Sequence, residues 1–122
     1  MEYQTIERDD ATWVGLSGAL DAVGALKAQE VAGRVVRSAA KTVTLDLTHL
    51  DFVDPSGIGL IVFLFKRLRA SGRSMEILGV HGQPARLLRQ LKLDRPLNIT
   101  FLPQQAVVDT RLSILQPLQK AS

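Results

Sequence analysis

The chain contains no cysteine. That excludes disulfide bonds, thiol catalysis and cysteine metal sites, and it fits the cytoplasm, which is the expected location. Histidine occurs only twice, as His49 and His81, and neither lies in a metal-ligand or zinc-protease spacing. The longest apolar run, Ile58 to Phe65, is far short of the roughly 20 residues a spanning helix needs. The opening Met1-Glu2-Tyr3-Gln4 has neither a basic stretch nor an apolar one, so neither a secretory signal nor membrane insertion is expected. Aromatic residues make up 5% of the chain, and none interleaves with the basic side chains after residue 65. A nucleic acid would find no platform for base stacking, so no nucleic-acid partner is expected.

What is present fits one domain over residues 1–122. The apolar fraction is 46% and the charged fraction 22%, ordinary values for a folded chain of this length. The net charge of +3 is unevenly spread. Residues 1–54 carry five basic and nine acidic side chains, whereas residues 66–95 carry eight basic and two acidic ones. The basic stretch reads either as a surface for an acidic partner or as the solvated faces of two helices.

Hydrophobic patterning sets the order of elements. Tyr3–Arg8 and Thr12–Ser17 read as strands joined by a short turn at Asp9-Asp10. Asp21 stands where an N-cap belongs, ahead of a helix over Ala22–Ala40. Val43, Leu45 and Leu47 alternate along a strand that gives way to an acidic loop carrying His49 and Asp51. A helix is expected from about Ser56 to Ala70, with Ile58, Ile61, Val62, Phe65 and Leu68 as its buried stripe. Met75–Val80 is the next strand, Gln83-Pro84 opens a helix that Asp94-Arg95-Pro96 ends, and Asn98–Leu102 is the last strand. Pro103 opens a final helix, with Val108, Leu112 and Leu115 along one side and Pro117 as its stop. Alternation of this kind implies parallel strands, with the opening hairpin adding an antiparallel one. The expected fold is α/β: a small mixed sheet of about five strands with four helices packed mainly on one side.

The segment Asp54-Pro55-Ser56-Gly57 carries the chemistry. Pro55 stiffens the approach to Ser56, and Gly57 leaves space beside its hydroxyl. Taken alone, Ser56 reads as an N-cap and Asp51 and Asp54 as turn residues. A phosphate on Ser56 would meet first-turn backbone donors and the positive end of the helix dipole. Leu60, Phe63 and Leu64 fall outside the buried stripe. They form an apolar patch beside Ser56 for a partner, unless the final helix covers them. The Gly-x-Ser-x-Gly elbow of hydrolases, a dinucleotide loop and a phosphate loop are all absent, so no enzyme and no cofactor is expected.

Together these residues resemble the STAS domain family. Asp54-Pro55-Ser56-Gly57 after the Asp46-Leu47 strand is similar to the family's signature, and Leu16-Ser17-Gly18-Ala19-Leu20-Asp21 is similar to its Leu-x-Gly-x-Leu-Asp stretch. The resemblance covers about residues 3–115. It implies an anti-sigma-factor antagonist with Ser56 as phosphoacceptor and with Asp21, Asp54, Pro55, Ser56, Gly57, Leu60, Phe63 and Leu64 at the partner surface. The implied partners are an ATP-dependent anti-sigma factor serine kinase, bound by the unphosphorylated form, and a serine phosphatase. The free protein is expected to be a monomer. The same resemblance allows an accessory subunit on the ATPase of an ABC-type lipid transport complex. Many members carry serine or threonine where this chain has Pro55.

Overall fold

The structure, a computed structural model, describes residues 1–103. The expected helix after Pro103 lies outside the described residues. The strands are β1 (Glu2–Arg8), β2 (Ala11–Leu20), β3 (Thr42–Val53), β4 (Ser74–Val80) and β5 (Asn98–Phe101). The helices are α1 (Ala22–Arg37), α2 (Pro55–Ala70) and α3 (Gly82–Gln90). The five strands form one sheet in the order β1-β2-β3-β4-β5. β1 pairs antiparallel with β2, and every other pair is parallel. This is the expected mixed α/β architecture.

Alternation decides which face of the sheet is covered. Val14 and Leu16 on β2, Val43, Leu45 and Leu47 on β3, and Met75 and Ile77 on β4 are all buried. The residues between them, such as Trp13, Thr44 and Asp46, are only half-buried. α1 presents Ala28, Val31, Ala32 and Val35 to the core, and α2 presents Ile58, Ile61, Leu64 and Leu68. Both helices meet the same sheet face, because one small void of about 20 Å3 is lined by Val14 and Leu45 from the strands and by Val31 and Leu64 from the helices.

Three boundaries differ from expectation. β3 runs through the segment expected to be an acidic loop, so His49 and Asp51 are exposed strand residues. α1 ends at Arg37 and α3 at Gln90, each earlier than the sequence pattern indicates. Lys92 turns into the left-handed region at φ 58°, which stops α3 before Asp94.

Arg73 explains the end of α1. Its Nη1 donates to the carbonyls of Val35 (3.1 Å) and Ser38 (2.9 Å), and its Nη2 to that of Val36 (2.8 Å). A cation thereby meets the last carbonyls of a helix, where the dipole is negative. Arg73→Ala is expected to lower stability by about 2 kcal/mol in a urea titration, the scale for hydrogen bonds from a charged donor. Arg73→Lys should restore less than half of that, since an ammonium cannot reproduce the planar fork.

Candidate functional site

The site is built where β2 and β3 end together. Leu20 lies in register with Val53, and the Asp54 N–H donates to the Leu20 carbonyl at 3.2 Å. The next residues therefore start α1 and α2 side by side. Both helices open with the same device. Asp21 Oδ1 accepts from the Gly24 N–H at 2.8 Å, and Asp54 Oδ1 accepts from the Gly57 N–H at 3.0 Å. Each aspartate has extended backbone and a half-buried side chain, as an N-cap requires. Asp54, not Ser56, is the cap of α2.

The glycine in each pair answers to packing. A Cβ on Gly57 would come to 2.5 Å from the Leu20 carbonyl oxygen and 2.6 Å from Val53 Cγ2. A Cβ on Gly24 would press on the Ala19 carbonyl oxygen. The helix starts are thus held against the preceding strand with no room for a side chain.

Ser56 occupies the second helical position of α2 and is exposed. Pro55 fills the first position, also exposed, and has no N–H. The Gly57 N–H is taken by the Asp54 carboxylate and the Ile58 N–H by the Asp54 carbonyl. Among the described residues the Ser56 N–H is the remaining first-turn donor. This corrects the expected cradle of backbone donors: a phosphate on Ser56 would meet one spare N–H and the capping carboxylate of Asp54.

Ser56 also stands at the rim of a groove between α1 and α2, of about 620 Å3. Ala22, Ala25 and Leu26 line it from α1, and Leu60 and Phe63 line it from α2. Leu26 is 66% exposed and Phe63 47%, so among the described residues an apolar surface adjoins the serine, and Val23, on the same helix as Leu26, is 77% exposed. The Arg67 guanidinium lies 5.7 Å from the Phe63 ring centroid. Leu60 is half-buried. Leu64 does not belong to this surface. It is buried at 6% exposure, because α1 packs along α2 and widens the buried arc beyond the stripe that faces the sheet.

Sequence reasoning missed Val23, Leu26 and Gln83. The signal for Val23 was the repeated Asp-x-x-Gly spacing, which places Val23 on α1 at the position Ser56 holds on α2. Gln83 gave no local signal. Its side-chain amide binds Val53 across 30 residues of sequence, accepting from the N–H and donating to the carbonyl, both at 2.8 Å.

Comparison with known proteins bears on the fold and the family. An anti-sigma-B factor antagonist from Staphylococcus epidermidis is 29% identical over 87 residues, covering 71% of this chain and 81% of the relative. The crystal structure of an anti-sigma factor antagonist from Mycobacterium paratuberculosis superposes with a TM-score of 0.76 at 18% identity, covering 90% of this chain and 93% of that one. The anti-sigma factor antagonist SpoIIAA in its unphosphorylated form superposes with a TM-score of 0.71 at 17% identity, covering 92% of this chain and 97% of that one. At such identities these two structures establish the fold. The profile of the STAS domain matches residues 2–104, and the chain belongs to that family.

Proposed function

We propose that this protein is an anti-sigma-factor antagonist that binds an anti-sigma factor serine kinase through the α1–α2 surface and releases it when Ser56 is phosphorylated. A serine phosphatase would reset the switch. The observation that carries this reading is an exposed hydroxyl on the second residue of α2, beside a capping carboxylate and an open apolar groove. The name of the Staphylococcus epidermidis relative supports it.

The physical step is local. Phosphorylation adds about −1.5 to −2 charges at pH 7 and three acceptor oxygens. Among the described residues one spare backbone N–H is present at Ser56 to receive them, beside the Asp54 carboxylate. A partner fitted to the neutral hydroxyl loses shape and gains repulsion, with no rearrangement of the sheet. Because roughly 1.4 kcal/mol is tenfold in affinity, a few kcal/mol suffices for release.

The test uses the full chain, ATP and candidate anti-sigma kinases. One phosphate is expected on Ser56 in the tryptic peptide spanning residues 42–66, read by fragmentation mass spectrometry. A phosphate on Thr48 with Ser56 untouched would refute the site. Capture of transporter ATPase subunits with no capture of any anti-sigma kinase would favour the accessory-subunit role instead.

A further inference from the structure

β3 outruns its neighbour on one side. On the β2 side it is paired to its last residue, Val53 with Leu20. On the β4 side pairing stops at Asp46 with Leu78. The seven residues from Leu47 to Val53 therefore present a strand edge with no strand against it among the described residues. Buried or half-buried backbone groups at such an edge need partners.

Two side chains from the start of α3 supply them. His81 Nε2 donates to the Thr48 carbonyl at 2.7 Å. Gln83 takes both polar groups of Val53, each at 2.8 Å. A primary amide that accepts from the N–H and donates to the C=O of one residue reproduces what a neighbouring strand would offer. The bonded residue is the one immediately before the Asp54 cap, two peptide bonds before Pro55 and three before Ser56. Gly79 brings the two elements close enough: it sits in a bulge of β4 at φ 77°, where a Cβ would come to 2.9 Å from Thr48 Cα.

We infer that Gln83 is a positioning residue of the Ser56 switch, acting through Val53 to fix the peptide plane from which Asp54 caps α2. It makes the presentation of Ser56 depend on α3, an element that lines no part of the groove. This inference gives the site proposed above a second control point. α1 provides an internal comparison, because it opens with the same Asp-x-x-Gly cap and has no glutamine clasp on Leu20 among the described residues. If Gln83 acts locally, its loss loosens one cap and spares the other. If it merely adds to overall stability, both caps loosen together.

The experiment is amide hydrogen exchange by NMR on the full chain, comparing wild type with Gln83→Met and Gln83→Glu. Methionine keeps the length and removes both bonds. Glutamate keeps the shape and one acceptor but sets a carboxylate against the Val53 carbonyl, and it covers the case in which the methionine variant does not fold. Exchange at Val53 and Gly57 is expected to rise about tenfold, the scale for losing two hydrogen bonds. The Gly24 and Leu45 amides should stay within about twofold of wild type. An equal rise at Gly24 and Gly57 would overturn the inference, and so would unchanged exchange at Gly57. The readout needs no kinase. A wild-type protein that no kinase phosphorylates would end the switch reading while leaving the exchange result standing.

Discussion

Ser56→Glu is expected to weaken capture of the cognate anti-sigma kinase by about thirty- to a hundredfold, and Ser56→Ala to bind constitutively in the presence of ATP. The estimate follows from charge. Unit charges at about 4 Å interact by roughly 4 kcal/mol at an effective dielectric near 20. Solvent exposure of Ser56 reduces that to about 2–2.7 kcal/mol, which is the quoted fold-change. Glutamate brings one charge and phosphate nearly two, so the phosphorylated protein should bind more weakly still. Raising the salt to about 0.5 M should recover part of the loss for glutamate, since screening acts on the charge and leaves the added bulk. The folded state should not suffer. An acidic side chain in the first turn of a helix is favourable by about 0.3–1 kcal/mol, so a thermal melt should show Ser56→Glu within a few degrees of wild type. Isothermal titration with equal affinity for the serine and glutamate forms would remove Ser56 from the switch.

Much of this site can be read from the sequence, and the reasons differ by residue. The strand and helix order is legible because each element carries its own period: Val43, Leu45 and Leu47 alternate, and Ile58, Ile61 and Leu68 keep helical spacing. Asp21 is legible as a cap because capping depends on residues only three apart. Three features differ from that reading, the first two for reasons that are not local. β3 continues through Thr48-His49-Leu50-Asp51 because β2 pairs with it to the end and side chains of α3 serve its other edge, although its own residues read as a polar loop. Leu64 is buried because α1 lies against α2, and periodicity within α2 alone describes only the face toward the sheet. Asp54 displaces Ser56 as cap because Pro55 can take the first helical position, which moves the cap back by two residues. That shift turns Ser56 from a side chain bonded to its own helix into an exposed hydroxyl, so the structural detail bears directly on the chemistry.

Two glycines two residues apart should respond in opposite directions. Gly57→Ala places a methyl group 2.5 Å from the Leu20 carbonyl oxygen and 2.7 Å from Leu20 Cγ, and the oxygen is backbone that cannot rotate away. The start of α2 must lift off the end of β2, which strains both the Asp54 cap and the Asp54–Leu20 bond. Overpacking of this kind costs about 1–3 kcal/mol, and the rigid contact puts it toward the upper end. A chemical melt should therefore show a loss of about 2–3 kcal/mol. Phosphorylation of Ser56 should slow as well, since the hydroxyl moves with the helix start. Gly59 has nothing within 4 Å of an added Cβ and lies on the groove wall. Gly59→Ala removes a poor helix former at an unstrained position and should raise stability by about 0.5–1 kcal/mol. Its methyl group projects into the space beside Ser56 and Phe63, so the same variant should bind the kinase more weakly while melting higher. A Gly59→Ala protein that gains stability and binds at full strength would show that the partner does not enter the groove.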